Sequence, residues 1–373
     1  MKVLITGSKG FVGKNLVSTL QYMEDYEILT YDRKDDIQVL KKHTKECDFV
    51  VHLAGVNRPK DTSDFYSGNV DLVQTLISCL KENDNQAPIL VSSSIQAELD
   101  NDYGKSKKAG EDVLIDYGKK SGAKILVYRL PNLFGKWSRP FYNSVVATWS
   151  YQISRNEKIE ISNSDHIMHL VYIDDLVKEI IAALDNKANK VVDYYYNVPL
   201  SYKITLKKLA ETFKYFKDSR DNRYIANMAD ELTSKLYSTY LSYLPTDDFS
   251  YPLVMHSDDR GSFSEFVKSD YAGQVSINVS KANEAKGEHW HHSKNEKFLV
   301  VKGKASIKFR DIFKEEIIEY IVSDDKFEVV DIPTGYTHNI TNLKDEDLIT
   351  IMWVNEPFNP NNPDTYFKKV EGD

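Results

Sequence analysis

A doubly wound α/β sheet followed by an all-β barrel or sandwich is the fold class this 373-residue chain predicts. Three observations predict it. Short apolar runs alternate with helical patterns over residues 1–217, a glycine trio follows the first run directly, and beyond about 245 the runs become short, closely spaced and separated by turns. In order, residues 3–5, 28–31, 49–53, 89–93 and 125–128 read as buried parallel strands. Helices fit between them, including one over 102–118 and a later one over 206–216, with lengths that suit right-handed crossovers. A tyrosine-rich stretch at 237–245 precedes the change of pattern, and strands are then expected at 274–279, 297–301, 305–310, 317–322, 327–331 and 348–354. The boundary falls near 245, giving domains 1–245 and 246–373. No internal repeat or low-complexity segment is present.

Bulk properties narrow the function classes. The length exceeds what one core usually organises, which agrees with two domains. A net charge of -8 without a basic run argues against nucleic acid as a partner. Cys47 and Cys79 are spaced neither as a metal pair nor as a disulfide framework, so both read as packing residues in a reducing compartment. No apolar run approaches a membrane span, and the N-terminus opens at once on a strand, so a cytoplasmic protein without membrane insertion is expected.

Two sets of residues carry chemistry. Gly7, Lys9, Gly10, Phe11, Val12 and Gly13 form a glycine loop between strand and helix, where glycine lets the backbone approach a pyrophosphate and the helix N-terminus offers free N–H groups. Asp32 and Arg33 close the second strand and point opposite ways. The carboxylate suits the ribose hydroxyl of NAD, whereas the guanidinium suits the 2'-phosphate of NADP. Tyr103 and Lys107 lie four apart on a predicted helix and share a face; a lysine cation there is expected to depress the phenol toward neutrality for proton exchange during hydride transfer. Alone, such a pair is an ordinary helix face. Following a glycine loop, with hydroxyls at Ser92, Ser93 and Ser94 on a strand end, it reads as a reducing centre.

Near the other end, His289 and His291 share one face of a strand, Glu296 follows a turn, and His338 arrives from a Pro333-x-Gly335 segment. Three imidazoles and a carboxylate suit Zn, Fe, Mn or Ni, and the ligand set does not choose among them.

Six ordered motifs give the first domain its resemblance: the Thr6-Gly7 loop, the 48–55 run ending in Leu53, Ala54 and Gly55, Asn69, the three serines, Tyr103 with Lys107, and Arg129 to Asn132 and Gly135. They resemble extended short-chain dehydrogenases/reductases acting on nucleotide sugars. The resemblance implies a Rossmann-type fold, Tyr103 as catalytic acid, Lys107 on the nicotinamide ribose, Ser94 (or Ser93) on the carbonyl, Leu53, Ala54 and Gly55 along the cofactor, and Asn132 facing substrate. His52 reads as structural. The histidine pattern resembles the two cupin motifs and implies a jelly roll, although Asn283 and Phe327 stand where the leading glycines usually are. Asp258, Arg260, Gly261, Phe263 and Glu265 are similar to the sugar-nucleotide 3,5-epimerase branch, with Lys286 in place of that branch's usual arginine. This likeness implies Arg260 and Glu265 as substrate holders and His289 as the base, a role that competes with metal ligation, because a nitrogen committed to a metal cannot abstract a proton.

The order of the two domains, with runs at 51–59, 131–137, 237–245, 289–298 and 331–339, resembles a family of bifunctional capsular polysaccharide enzymes. That resemblance implies a homodimer, a zinc-bearing cupin, NADPH as cofactor and a UDP-linked 4-keto-6-deoxy-N-acetylhexosamine as substrate, with C3 epimerised in the cupin and C4 reduced in the reductase. Two other readings share these motifs. One is a redox-neutral, NAD-retaining epimerase or dehydratase; the other gives the cupin only a binding or dimerisation role.

Overall fold

The protein is described here by a computed structural model covering residues 1–57, 61 and 63–372. Arg58 and Pro59, which end the 51–59 run, lie outside the described residues. Contacts divide the chain into two units, residues 1–213 with 235–245, and residues 214–234 with 246–373.

In the first unit a seven-stranded sheet runs in the order Glu27–Tyr31, Lys2–Thr6, Phe49–His52, Ile89–Ser94, Ile125–Leu130, Tyr195–Tyr196, Lys190–Val192. All neighbours pair in parallel except the last two, which pair antiparallel. The doubly wound expectation is met, and alternation along the strands explains it. Val3, Ile5, Leu90, Leu126 and Tyr128 join one buried cluster with Leu16, Leu20, Leu176 and Ile180 of the helices Phe11–Leu20 and Ile173–Leu184. Leu4, Val50, Ile89, Val91, Ile125 and Val127 join the other, with Leu40, Leu76, Leu80 and Leu114 from helices on the opposite face.

A three-stranded sheet, Tyr202–Thr205, Ile167–Tyr172 and Asn132–Phe134, was not expected from the sequence. Asn132–Phe134 and Tyr202–Thr205, of three and four residues, give too few alternations to register. The helix expected over 206–216 runs Leu206–Asn222. The tyrosine-rich stretch is packed into this unit, with the Tyr243 hydroxyl donating to the carbonyl of Ser138 at 2.6 Å and Tyr240 1% exposed.

The all-β unit has two antiparallel sheets. Six strands run in the order His256–Asp258, Gly261–Ser269, Gly273–Ser280, Leu348–Val354, Glu296–Lys302, Val329–Ile332; five run Ile317–Ser323, Lys304–Asp311, Tyr336–Asn342, Ala285–Trp290, Tyr366–Phe367. Phe298, Val300, Ile332 and Leu348 from the first sheet and Ala305, Ile307, Phe309 and Ile340 from the second form one core. Each expected strand is present, and His256–Asp258, Gly261–Ser269, Ala285–Trp290, Tyr336–Asn342 and Tyr366–Phe367 are additional. Their polar or glycine-containing sequences hide the period of two. Asn283, in the place of a usual glycine, has φ +60°, a left-handed conformation asparagine tolerates better than most residues.

Candidate active site and histidine centre

The glycine loop is built for close approach. Gly7 has φ +74°, its N–H donates to the carbonyl of Tyr31 at 2.8 Å, and a Cβ there would stand 2.8 Å from the backbone nitrogen of Ala54. At Gly13 a Cβ would meet the Gly7 carbonyl oxygen at 2.3 Å, so the helix can pass this close to the loop only without a side chain. No side chain caps Phe11–Leu20 at Gly10, which leaves first-turn N–H groups for an anion. Phe11 and Val12 pack against the first core cluster.

Asp32 is already engaged. Its carboxylate accepts the Ser8 hydroxyl at 2.5 Å and the Lys9 N–H at 3.1 Å, tying the second strand to the loop. Arg33 is exposed beside it. Leu53 packs against the same core cluster as Phe11, and the Ala54 N–H donates to Thr6 Oγ1 at 3.3 Å. Thr6 Oγ1 is in turn hydrogen-bonded to His52 Nδ1, 2.8 Å away. Burial pushes His52 down to about 3, so it is neutral and structural at neutral pH.

The helix carrying Tyr103 and Lys107 spans Asp102–Ser121, capped at its start by Asn101, whose side chain accepts the Gly104 N–H at 2.8 Å. Gly104 is required there, because a Cβ would meet the Gln96 carbonyl oxygen at 2.1 Å. Lys107 Nζ donates to the Ser92 carbonyl at 3.1 Å and lies under Gly55, where a Cβ would meet it at 2.9 Å. Asn69, buried nearby, donates to Ser106 Oγ at 3.0 Å and pairs with both backbone groups of Val56.

One electrostatic expectation is corrected. Burial raises Tyr103, with only a hydrogen bond from Ser94 pulling the other way, and Lys107 does not depress it. Lys107 is itself lowered to about 8 by desolvation, with Glu111 partly opposing. The phenol is therefore held protonated and is a proton donor rather than a ready base. Geometry also separates the serines. Ser93 Oγ donates to buried Glu111 at 2.5 Å, which also binds Arg129 at 2.6 Å, whereas Ser94 contacts Tyr103.

Asn132 lines a cavity of about 460 Å³ together with Tyr142, Trp149, Met168 and Leu170. Tyr142 also raises Tyr103 slightly through charge. Tyr142 and Trp149 were not singled out from sequence. They come from a loop and helix whose pattern holds no catalytic spacing.

In the all-β unit the donor atoms of His289, His291, Glu296 and His338 all lie within 4.8 Å of one another. Glu296 Oε2 is 3.5 Å from His291 Nε2 and 3.3 Å from His338 Nε2. All three of these atoms are buried without a hydrogen-bond partner, which suits lone pairs directed at a cation. Burial would push Glu296 up, yet His291 and His338 outweigh it and hold it at about 2. Burial also lowers His289 to about 4, leaving a neutral imidazole able to bind a cation. Trp290 and His292 pack against Tyr366 instead, the first tilted and the second edge-on, with ring centroids 5.0 Å apart in each pair. Such a centre fits a divalent ion, which would supply Lewis-acid polarisation of a carbonyl.

Arg260 and Glu265 each have a partner close in sequence. Arg260 is exposed and paired with Asp258 at 2.7 Å, while Glu265, five residues along the strand Gly261–Ser269, pairs with Lys268 at 2.6 Å. Lys286 donates to Asn278 Oδ1 at 2.9 Å and the Val279 carbonyl at 2.8 Å.

Fold and site together define an oxidoreductase that takes a nicotinamide dinucleotide. Residues 3–198 match the NAD dependent epimerase/dehydratase family, and residues 256–366 match the polysaccharide biosynthesis C-terminal domain. The chain belongs to this family, in the branch that joins the two domains in one polypeptide and includes CapF. It is 43% identical over 98% of both chains to UDP-2-acetamido-2,6-beta-L-arabino-hexul-4-ose reductase of Pseudomonas aeruginosa. The crystal structure of the capsular polysaccharide assembling protein CapF from Staphylococcus aureus superimposes with a TM-score of 0.93 at 50% identity, covering 99% of this chain and 100% of that one. The spore coat polysaccharide biosynthesis protein SpsL of Bacillus subtilis is 30% identical over 122 residues, 30% of this chain and 81% of its own length.

Proposed function

We propose that the protein reduces C4 of a UDP-linked 2-acetamido-2,6-dideoxy-4-keto sugar with NADPH, after its all-β domain has inverted C3, giving UDP-2-acetamido-2,6-dideoxy-L-talose on the route to UDP-N-acetyl-L-fucosamine. The observation that carries the reductase step is the convergence of Ser94, Tyr103 and Lys107 beside the glycine loop. The 4-keto reductase named among its full-length relatives supports the substrate class.

When bound, the nicotinamide supplies a hydride to C4. Tyr103 gives its phenolic proton to the carbonyl oxygen as the C–O double bond becomes a single bond, and the Ser94 hydroxyl donates a hydrogen bond to the same oxygen. Lys107 holds the ribose and presents a cation beside the phenol as it loses its proton. Asn132 and Tyr142 orient the sugar. NADPH is favoured because Asp32 is spent on Ser8 and Lys9, which leaves the exposed Arg33 to meet a 2'-phosphate.

In the all-β domain, a C4 ketone acidifies the C3 hydrogen, and removal followed by return from the other face inverts the carbon. His289 is read as a metal ligand rather than the base, because its ring stands 4.9 Å from His291 and 4.7 Å from His338, centroid to centroid, within the donor cluster. A zinc ion and a homodimer belong to the same reading. Incubation with the 4-keto UDP-sugar is expected to oxidise one NADPH per sugar reduced, faster than NADH at equal concentration. Sugar conversion without net cofactor oxidation would refute the reductase in favour of a redox-neutral enzyme.

A further inference from the structure

A C-terminal strap, residues 363–370, is laced onto the strand and turn that carry two of the histidine-centre residues. Its anchor is Asp364. One carboxylate oxygen accepts the His292 N–H at 3.0 Å; the other accepts the N–H groups of Ser293 and Lys294, at 2.8 and 3.1 Å, and the Ser293 hydroxyl at 2.8 Å. The carbonyl of the same residue lies 2.6 Å from His291 Nδ1. Asp364 is 8% exposed and has φ +40°, an uncommon conformation for a residue other than glycine. Further along, the Val370 N–H donates to Glu288 Oε2 at 2.6 Å, and Arg310 donates to the carbonyls of Val370 and Lys369, both at 2.8 Å.

The consequence is chemical. A carbonyl accepts only a proton, so His291 must carry its hydrogen on Nδ1 and turn the Nε2 lone pair toward Glu296 and His338. His338 has a longer contact of the same kind, its Nδ1 lying 3.5 Å from the Tyr336 carbonyl. We propose that Asp364 is the positioning residue of the histidine centre: its carboxylate fixes the 292–294 turn, and its carbonyl fixes the tautomer and direction of His291. This rests on reading His289, His291, Glu296 and His338 as a metal centre.

The full-length protein, stripped and reloaded with Zn²⁺, tests it by competition against a chromophoric chelator. Asp364→Ala keeps the backbone carbonyl but removes the carboxylate anchor that places it against His291, and is expected to weaken Zn²⁺ binding by about tenfold, the lower end of what disturbing an outer partner of a metal-bound histidine costs. Asp364→Asn keeps the side-chain shape but can place only one oxygen against these donors, and is expected to fall between the two. It carries the test if the alanine variant does not fold. The visible spectrum of the Co²⁺ form should change in both variants, a readout that a purely structural role would not move. Zn²⁺ affinities within about twofold of the parent, with an unchanged Co²⁺ spectrum, overturn the positioning role even if the variants melt earlier. A parent protein that holds no ion against the chelator overturns the metal reading itself, and this inference with it.

Discussion

At the scale of single residues, the reducing centre is set by what each side chain has already spent its hydrogen bonds on. Ser93 is committed to Glu111 and Asp32 to the glycine loop, which leaves Ser94 and Arg33 for substrate and cofactor. Sequence could name the candidates but not these commitments, since partners such as Glu111 stand 18 residues away. The same limit produced the error over Tyr103, where spacing suggests depression by Lys107 and burial dominates instead. Lys107, lowered to about 8, gives a pH prediction with a definite sign. Below that value the ammonium is charged and can serve the ribose and the phenol; above it the charge is lost. We expect kcat/KM for NADPH to fall on the alkaline side with an apparent pKa near 8, roughly tenfold per pH unit thereafter. A profile flat to pH 10 would show that Lys107 keeps its ordinary pKa.

At the scale of elements, legibility followed periodicity. Buried parallel strands such as Lys2–Thr6 and Ile125–Leu130 are near-continuous apolar runs and were readable. Ala285–Trp290 was not, because Gly287 at φ +112° and Glu288 at φ +59° accompany a bulge that breaks the alternation just before His289. The histidine spacing was legible even where the strand was not. The junction of strand and helix at the glycine loop gives the element-scale prediction. Gly13→Ala puts a methyl group 2.3 Å from the Gly7 carbonyl and 2.6 Å from Ser8 Cα, backbone atoms that cannot swing aside. The variant is expected to lose about 1–3 kcal/mol of stability in the first unit and to bind NADPH more weakly. Thermal unfolding and cofactor titration read both effects, and an unchanged affinity would argue against this loop as the cradle.

At the scale of the whole molecule, two chemistries are assigned to two units, each with its own core and its own polar centre. The two-class fold was legible because the parallel and antiparallel halves differ in the spacing of their apolar runs. Less visible was the interleaving of the units, in which residues 214–234 belong with the all-β part although residues 235–245 return to the first. No helix among the described residues is long and apolar enough to cross a membrane. If the units work independently, disabling one should leave the other's reaction intact. The direct test is solvent deuterium exchange at C3 of the 4-keto UDP-sugar, followed by NMR with the Tyr103→Phe protein and no NADPH. The account predicts that this variant oxidises no NADPH yet washes deuterium into C3 at the parent rate. Absence of C3 exchange in both parent and variant would contradict an epimerising all-β domain, and exchange lost only in the variant would contradict separate sites.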